Sequence, residues 1–144
     1  MSNVVDVSEA IYEILAAPGG LVHALASDRI YPGHVPGQID ADESIVFFVS
    51  STEDDHQISL ESSADRPDKS TVTFICLGGP EGTQGYLRGR RLAKALKKQI
   101  NGLIVTYGSV EIQDIERVNN EDTFDERVRR FAVVETYEVT ASYS

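Results

Sequence analysis

The chain has 144 residues, 41% apolar and 25% charged, which suits one folded domain and excludes wholesale disorder. Its 13 Lys and Arg against 23 Asp and Glu leave a formal charge of −10, which argues against a protein whose whole surface grips nucleic acid, since that task needs cations to displace counterions from phosphates. The lone Cys76 excludes a disulfide framework or multi-cysteine metal centre within one chain, and no run approaches the ~18 to 20 apolar residues that cross a bilayer.

The first residues, Met1 to Asp6, lack the basic region and apolar run of an export signal, so a soluble domain spanning 1–144 is expected. Val7, Ala10, Ile11, Ile14 and Leu15 recur at helical spacing, with Asp6 and Glu9 as a capping pair, and Pro18-Gly19-Gly20 ends that helix. Leu21, Val22 and Leu25 predict a further helical turn or two. Asp28 to Pro32 reads as a short extended piece, Gly33 to Glu43 as a loop, and Ile45 to Val49 as a strand covered on both faces.

Ser50 to Lys69 is polar and acidic, and predicts a flexible loop at about 52–69 carrying Glu53, Asp54, Asp55, Glu61, Asp65 and Asp68, with Arg66 among them. Val72, Phe74 and Cys76 alternate in a strand that ends at Gly78-Gly79-Pro80. A second helix follows, with Gly85, Gly89, Leu92, Ala93, Leu96, Ile100 and Leu103 on one stripe and Arg90, Arg91, Lys94, Lys97 and Lys98 opposite, closed by Asn101-Gly102. Beyond it, Val110, Ile112, Asp114 and Glu116 alternate with Ile115 and Arg117, and Asn119 to Asp125 reads as a polar turn. Phe131, Val133, Tyr137 and Val139 share one face of a final strand. The fold class is α+β, a mainly antiparallel β-sheet with two α-helices packed on one face. A single strand from Arg127 to Ala141 would run ~50 Å, so part of it is expected to bend sharply or reach a neighbouring subunit.

Chemistry-bearing patterns are weak. Leu77 to Arg88 (LGGPEGTQGYLR) joins strand to helix where phosphate loops sit, but the Lys and the glycine spacing of nucleotide motifs are missing; Thr83 and Arg88 are the only anion contacts it offers an enzyme. His23, His34 and His56 are scattered, and Asp40, Asp42 and Ser44 start a calcium-loop pattern that Ile45 and Ser51 break. Ser109 lacks the bracketing glycines of a nucleophile elbow, and Cys76 reads as a small core residue. No catalytic residue, cofactor or metal is expected.

Arg88, Arg90, Arg91, Lys94, Lys97 and Lys98 hold six of the thirteen positive charges within eleven residues. Three readings stand side by side: a solvated helix face, a nucleic-acid patch, and a contact with the acidic 53–68 stretch of an identical neighbour. The candidate interaction residues are Glu53, Asp54, Asp55, Asp65, Arg66, Asp68, Arg90, Arg91 and Lys94.

The order of these features resembles a known family. An N-terminal helix (IYEILAAPGGLVHAL) leads to Arg29-Ile30-Tyr31-Pro32, then a proline-bearing loop and an apolar strand ending in Ser50-Ser51. An Ala- and Arg-rich helix (YLRGRRLAKALKKQINGL) and a last strand with Tyr137 follow. Over nearly its full length the chain resembles the tail completion, or tail terminator, proteins of long-tailed bacteriophages, the family of tail-to-head joining proteins. The family's usual second loop proline is replaced here by Glu43-Ser44. The resemblance implies a non-enzymatic virion subunit, assembled in the host cytoplasm into a homo-oligomeric, hexameric ring at the head-proximal end of the tail. Its implied partners are copies of itself, the tail tube protein and the head-completion or neck protein. DNA would pass through the lumen without specific binding, and no membrane is involved. A head-completion or connector-stopper subunit shares these properties and is the alternative.

Overall fold

The computed structural model describes residues 6–33, 43–51, 68–80, 85–125 and 130–143. Asp6 starts the first helix: its backbone is extended, its carboxylate accepts the Glu9 N–H at 3.1 Å and the Ser8 hydroxyl at 2.7 Å, and α1 runs Val7–Ala16. The predicted stripe Val7, Ala10, Ile11, Ile14 and Leu15 is buried. Leu21 onward forms more than an extra turn. It is a separate helix, α2 (Leu21–Ala26), so the described residues form three helices where two were expected.

A residue of the third helix explains the split. Gln99 of α3 (Gly85–Ile100) accepts the Val22 N–H through Oε1 at 2.8 Å and donates through Nε2 to the Ile14 carbonyl at 2.7 Å. One side-chain amide thereby satisfies the end of α1 and the start of α2, where backbone groups lack helical partners. Arg29, from the family-like segment, donates to the Glu43 carbonyl at 2.6 Å and to the Leu25 carbonyl at 3.2 Å, tying the last turn of α2 to the entry of the second strand.

The strands β1 (Ile30–Pro32), β2 (Ser44–Ser51), β3 (Asp68–Pro80), β4 (Val105–Tyr107), β5 (Val110–Asp125) and β6 (Arg130–Tyr143) form one sheet in the order β1-β2-β3-β6-β5-β4. Among the described strands only β1 and β2 pair in parallel; the other pairs are antiparallel, so the α+β class holds. The helices pack on the face that carries Ile45, Phe47, Val72, Phe74, Val133, Tyr137 and Val139. Phe74 is central there, with Phe47 at 5.9 Å and Tyr137 edge-on at 5.5 Å between ring centroids. Val46, Leu77 and Ala132 form a smaller cluster on the other face, so β2 is covered on both sides only in its first half; Phe48 is 40% exposed.

Three long strands depart from the sequence expectation. β3 ends at Pro80, opposite Arg130, within the expected Gly78-Gly79-Pro80, but it begins at Asp68, so Asp68 and Lys69 belong to the strand and not to the loop. The stretch Asn119 to Asp125 is not a turn. It pairs with β6 from Asn119↔Thr136 to Asp125↔Arg130. β6, roughly 46 Å long at ~3.3 Å per residue, keeps β5 beside it from Arg130 to Tyr143, so its length needs no second subunit.

Two register shifts in β5 overturn its simple alternation. Gln113 and Val118 are skipped in the register with β6, so the helix-facing positions are Val110 and Ile112, then Ile115 and Arg117, then Asn120 and Asp122. Ile112 and Ile115, assigned to opposite faces from the sequence, are both buried in one core. Against this sheet α3 buries Leu92, Leu96 and Ile100, and approaches β3 closely at Gly78, where a Cβ would run into the Gly85 carbonyl. Gly78 serves this close packing between helix and strand.

Candidate interaction surface

A cleft of about 650 Å³ separates α3 from the β5–β6 hairpin. Arg90, Arg91, Lys94 and Lys97 line it from the helix, Arg117 and Asn120 from β5, and Val133 and Glu135 from β6. At one end a clamp holds helix to hairpin: Asp122 accepts from Arg90 at 3.0 and 3.1 Å and from the Tyr86 hydroxyl at 3.2 Å, while the Tyr86 ring meets Phe131 edge-on at 5.9 Å. At the other end Asn101 accepts the Arg117 N–H at 3.0 Å, and Gly102 donates to the Ile115 carbonyl at 2.7 Å.

The floor holds a buried charge. Glu135 is 1% exposed; it accepts the Tyr137 hydroxyl at 3.3 Å and faces an Arg117 guanidinium nitrogen at 3.5 Å. Burial, reinforced by the Glu135 charge, pushes both the Tyr137 hydroxyl and the Cys76 thiol up, so both stay protonated at neutral pH. Cys76 is a core side chain held away from solvent.

The six clustered cations divide into two groups. Arg88 pairs with Glu43 at 3.4 Å and Arg90 with Asp122, so these two fasten the fold. Arg91, Lys94, Lys97 and Lys98 are exposed, and among the described residues they have no ion-pair partner. Lys97 and Lys98 also lie in the last helical turn, where positive charge complements the macrodipole.

No protein-family model and no curated relative matches the sequence. Among solved structures the chain is similar to one in "Virion of native gene transfer agent (GTA) particle", at 13% identity and a TM-score of 0.62, over 94% of this chain and 93% of that one. The fold is one found in a virion. A second solved chain, 14% identical, gives the same TM-score over 94% of both chains. At these identities the likeness is one of fold.

The residues singled out from the sequence fall in three places. Glu53, Asp54, Asp55, Asp65 and Arg66 lie outside the described residues, as do Thr83, His34, His56, Asp40 and Asp42. Asp68 begins β3 opposite Ala141, at the far end of the strands from the cleft. Arg90, Arg91 and Lys94 share the exposed face of α3, but Arg90 is engaged by Asp122. Sequence reasoning missed Arg117, Asp122 and Glu135. Glu135 left a signal: it is the one carboxylate in phase with Phe131, Val133, Tyr137 and Val139 on the buried face of β6. Ser44 is buried in β2, and His23 lies 3.8 Å from Asp28. Among the described residues no group of three or more metal-ligating side chains is assembled, and no helix is long and apolar enough to cross a membrane.

Proposed function

We propose that this chain is a structural protein of a phage-like virion, and within it the ring-forming tail terminator that caps the tail tube, stops its growth and receives the head. The observation that carries the reading is the fold shared along nearly the whole length with a chain of a gene transfer agent virion, joined to the tail-terminator-like order of elements in the sequence. A cap of this kind needs two unlike surfaces and contacts between copies that close by rotation, a task of shape and charge that calls on no reactive group. A sixfold ring would carry a formal charge of about −60, a field that disfavours sticking of passing DNA. The subunit would sit at the head-proximal end of the tail after assembly in the host cytoplasm, with tube and neck proteins as partners.

A head-completion or connector-stopper subunit is the second reading, because the fold match is to a virion chain without a position in the particle. Deleting the gene and imaging the particles separates the two. Tails of abnormal length are expected. Normal tails beside leaking or tailless heads would favour the stopper and reject the terminator.

A further inference from the structure

We propose that the cleft between α3 and the β5–β6 hairpin receives the carboxylate-rich 53–68 stretch of a second copy of this chain. The contact deepens the ring reading and rests on it. Arg91, Lys94 and Lys97 stand three residues apart on one helix face, so their charges repel at close spacing, and no described carboxylate offsets them. The acids nearest the cleft are already engaged: Asp122 holds Arg90, and Glu135 holds Arg117 beneath the surface. A cleft rimmed by surplus cations in a chain of net charge −10 is a local reversal of sign.

The occupant follows from the distribution of acids. Residues 53–68 hold six of the 23 Asp and Glu. A nucleic acid is the poorer occupant, since it would meet three unengaged rim cations against a molecule that repels phosphates at long range. The described residues that flank the acidic stretch, Ser51 at the end of β2 and Asp68 at the start of β3, lie at the end of the sheet beside Ala141. The cleft opens over Val133 and Glu135, six to eight residues along β6, or roughly 20 to 26 Å at ~3.3 Å per residue. Donor and acceptor surfaces at different ends of one molecule make a heterologous, head-to-tail contact, the kind that closes into rings.

The test is carbodiimide cross-linking of the full chain, mixed in equal parts from unlabelled and nitrogen-15-labelled protein and assembled on tail tubes. Carbodiimide joins Lys amines directly to carboxylates. Mixed-isotope cross-links from Lys94 or Lys97 to residues 53–68 are expected. Links of one isotope alone would mean that the stretch folds back on its own cleft, and would overturn the proposal, as would no link to this stretch. In parallel, the Lys94→Glu, Lys97→Glu variant should self-associate at least tenfold more weakly by sedimentation. Association should return when it is mixed with chains carrying Glu53→Lys, Asp54→Lys and Asp55→Lys. Salt-sensitive binding of duplex DNA, lost in the Lys94→Glu, Lys97→Glu variant while cross-links are absent, would assign the cleft to nucleic acid instead. Rings that cap tubes without these cross-links would defeat this contact and leave the terminator reading intact. Mixed cross-links in a protein whose deletion leaves tails of normal length would do the reverse.

Discussion

Glu135 is a buried carboxylate whose two described partners are Arg117 and the Tyr137 hydroxyl. A buried charge that loses its counter-ion keeps its desolvation penalty and forfeits the attraction, so Arg117→Ala is expected to destabilise the fold by about 2 kcal/mol, discounted because the Arg117 side chain is a third exposed. Adding Glu135→Gln should recover much of that loss, since an amide needs no counter-ion. Urea denaturation of the two variants and the wild type measures this; equal stability of Arg117→Ala and wild type would mean the pair is solvated. The same pair shows the limit of reading residues alone. Arg117 and Glu135 are eighteen positions apart, and nothing local in either segment announces that they meet; only the register of β5 on β6 brings them together.

At the scale of elements, α1 depends on a cap. The Ser8 hydroxyl, with the Glu9 and Ser8 backbone N–H groups, holds the Asp6 carboxyl below the usual carboxylate range. A carboxyl whose folded pKa is depressed contributes stability above its unfolded pKa and loses it as the pH falls through the folded one. Asp6→Ala should therefore cost about 1 kcal/mol at neutral pH, and wild type and variant should converge in acid below the carboxylate range, as followed by thermal melting. The contact of α3 with β3 is steric in origin. Gly78→Ala puts a methyl group into the Gly85 carbonyl and 2.9 Å from the Gly89 nitrogen, so the helix must shift, at roughly 2 kcal/mol. Gly89→Ala meets nothing nearer than 3.4 Å and gains helix propensity; its melting temperature should change little. Loss of stability in Gly89→Ala comparable to Gly78→Ala would contradict this view of the packing.

Across the whole molecule, periodicity in the sequence located α1, α3 and the inner face of β6, because those segments bury side chains at one unbroken period, while a run of five apolar residues located β2. It failed where the period changes. Ile112 and Ile115 were assigned to opposite faces because a Gln113 skipped in the register is invisible to strict alternation, and Asn119 to Asp125 looked like a turn because its polar residues from Asn119 to Thr123 face a cleft and solvent. The candidate site was half legible. The cationic helix face stood out by composition, whereas its division into fastening residues, Arg88 and Arg90, and unengaged ones, Arg91, Lys94 and Lys97, depends on Glu43 and Asp122 arriving from distant segments.

The register slips of β5 also separate two properties that usually travel together. With Gln113 and Val118 left out, the strand reads as plain alternation with the same inward-facing side chains, Val110, Ile112, Ile115, Arg117, Asn120 and Asp122. Those two residues add local coiling to the ribbon and leave its interior lining unchanged. A chain shortened by both would keep its filling while straightening the hairpin, so curvature can be tuned by trimming or restoring single residues without repacking the centre.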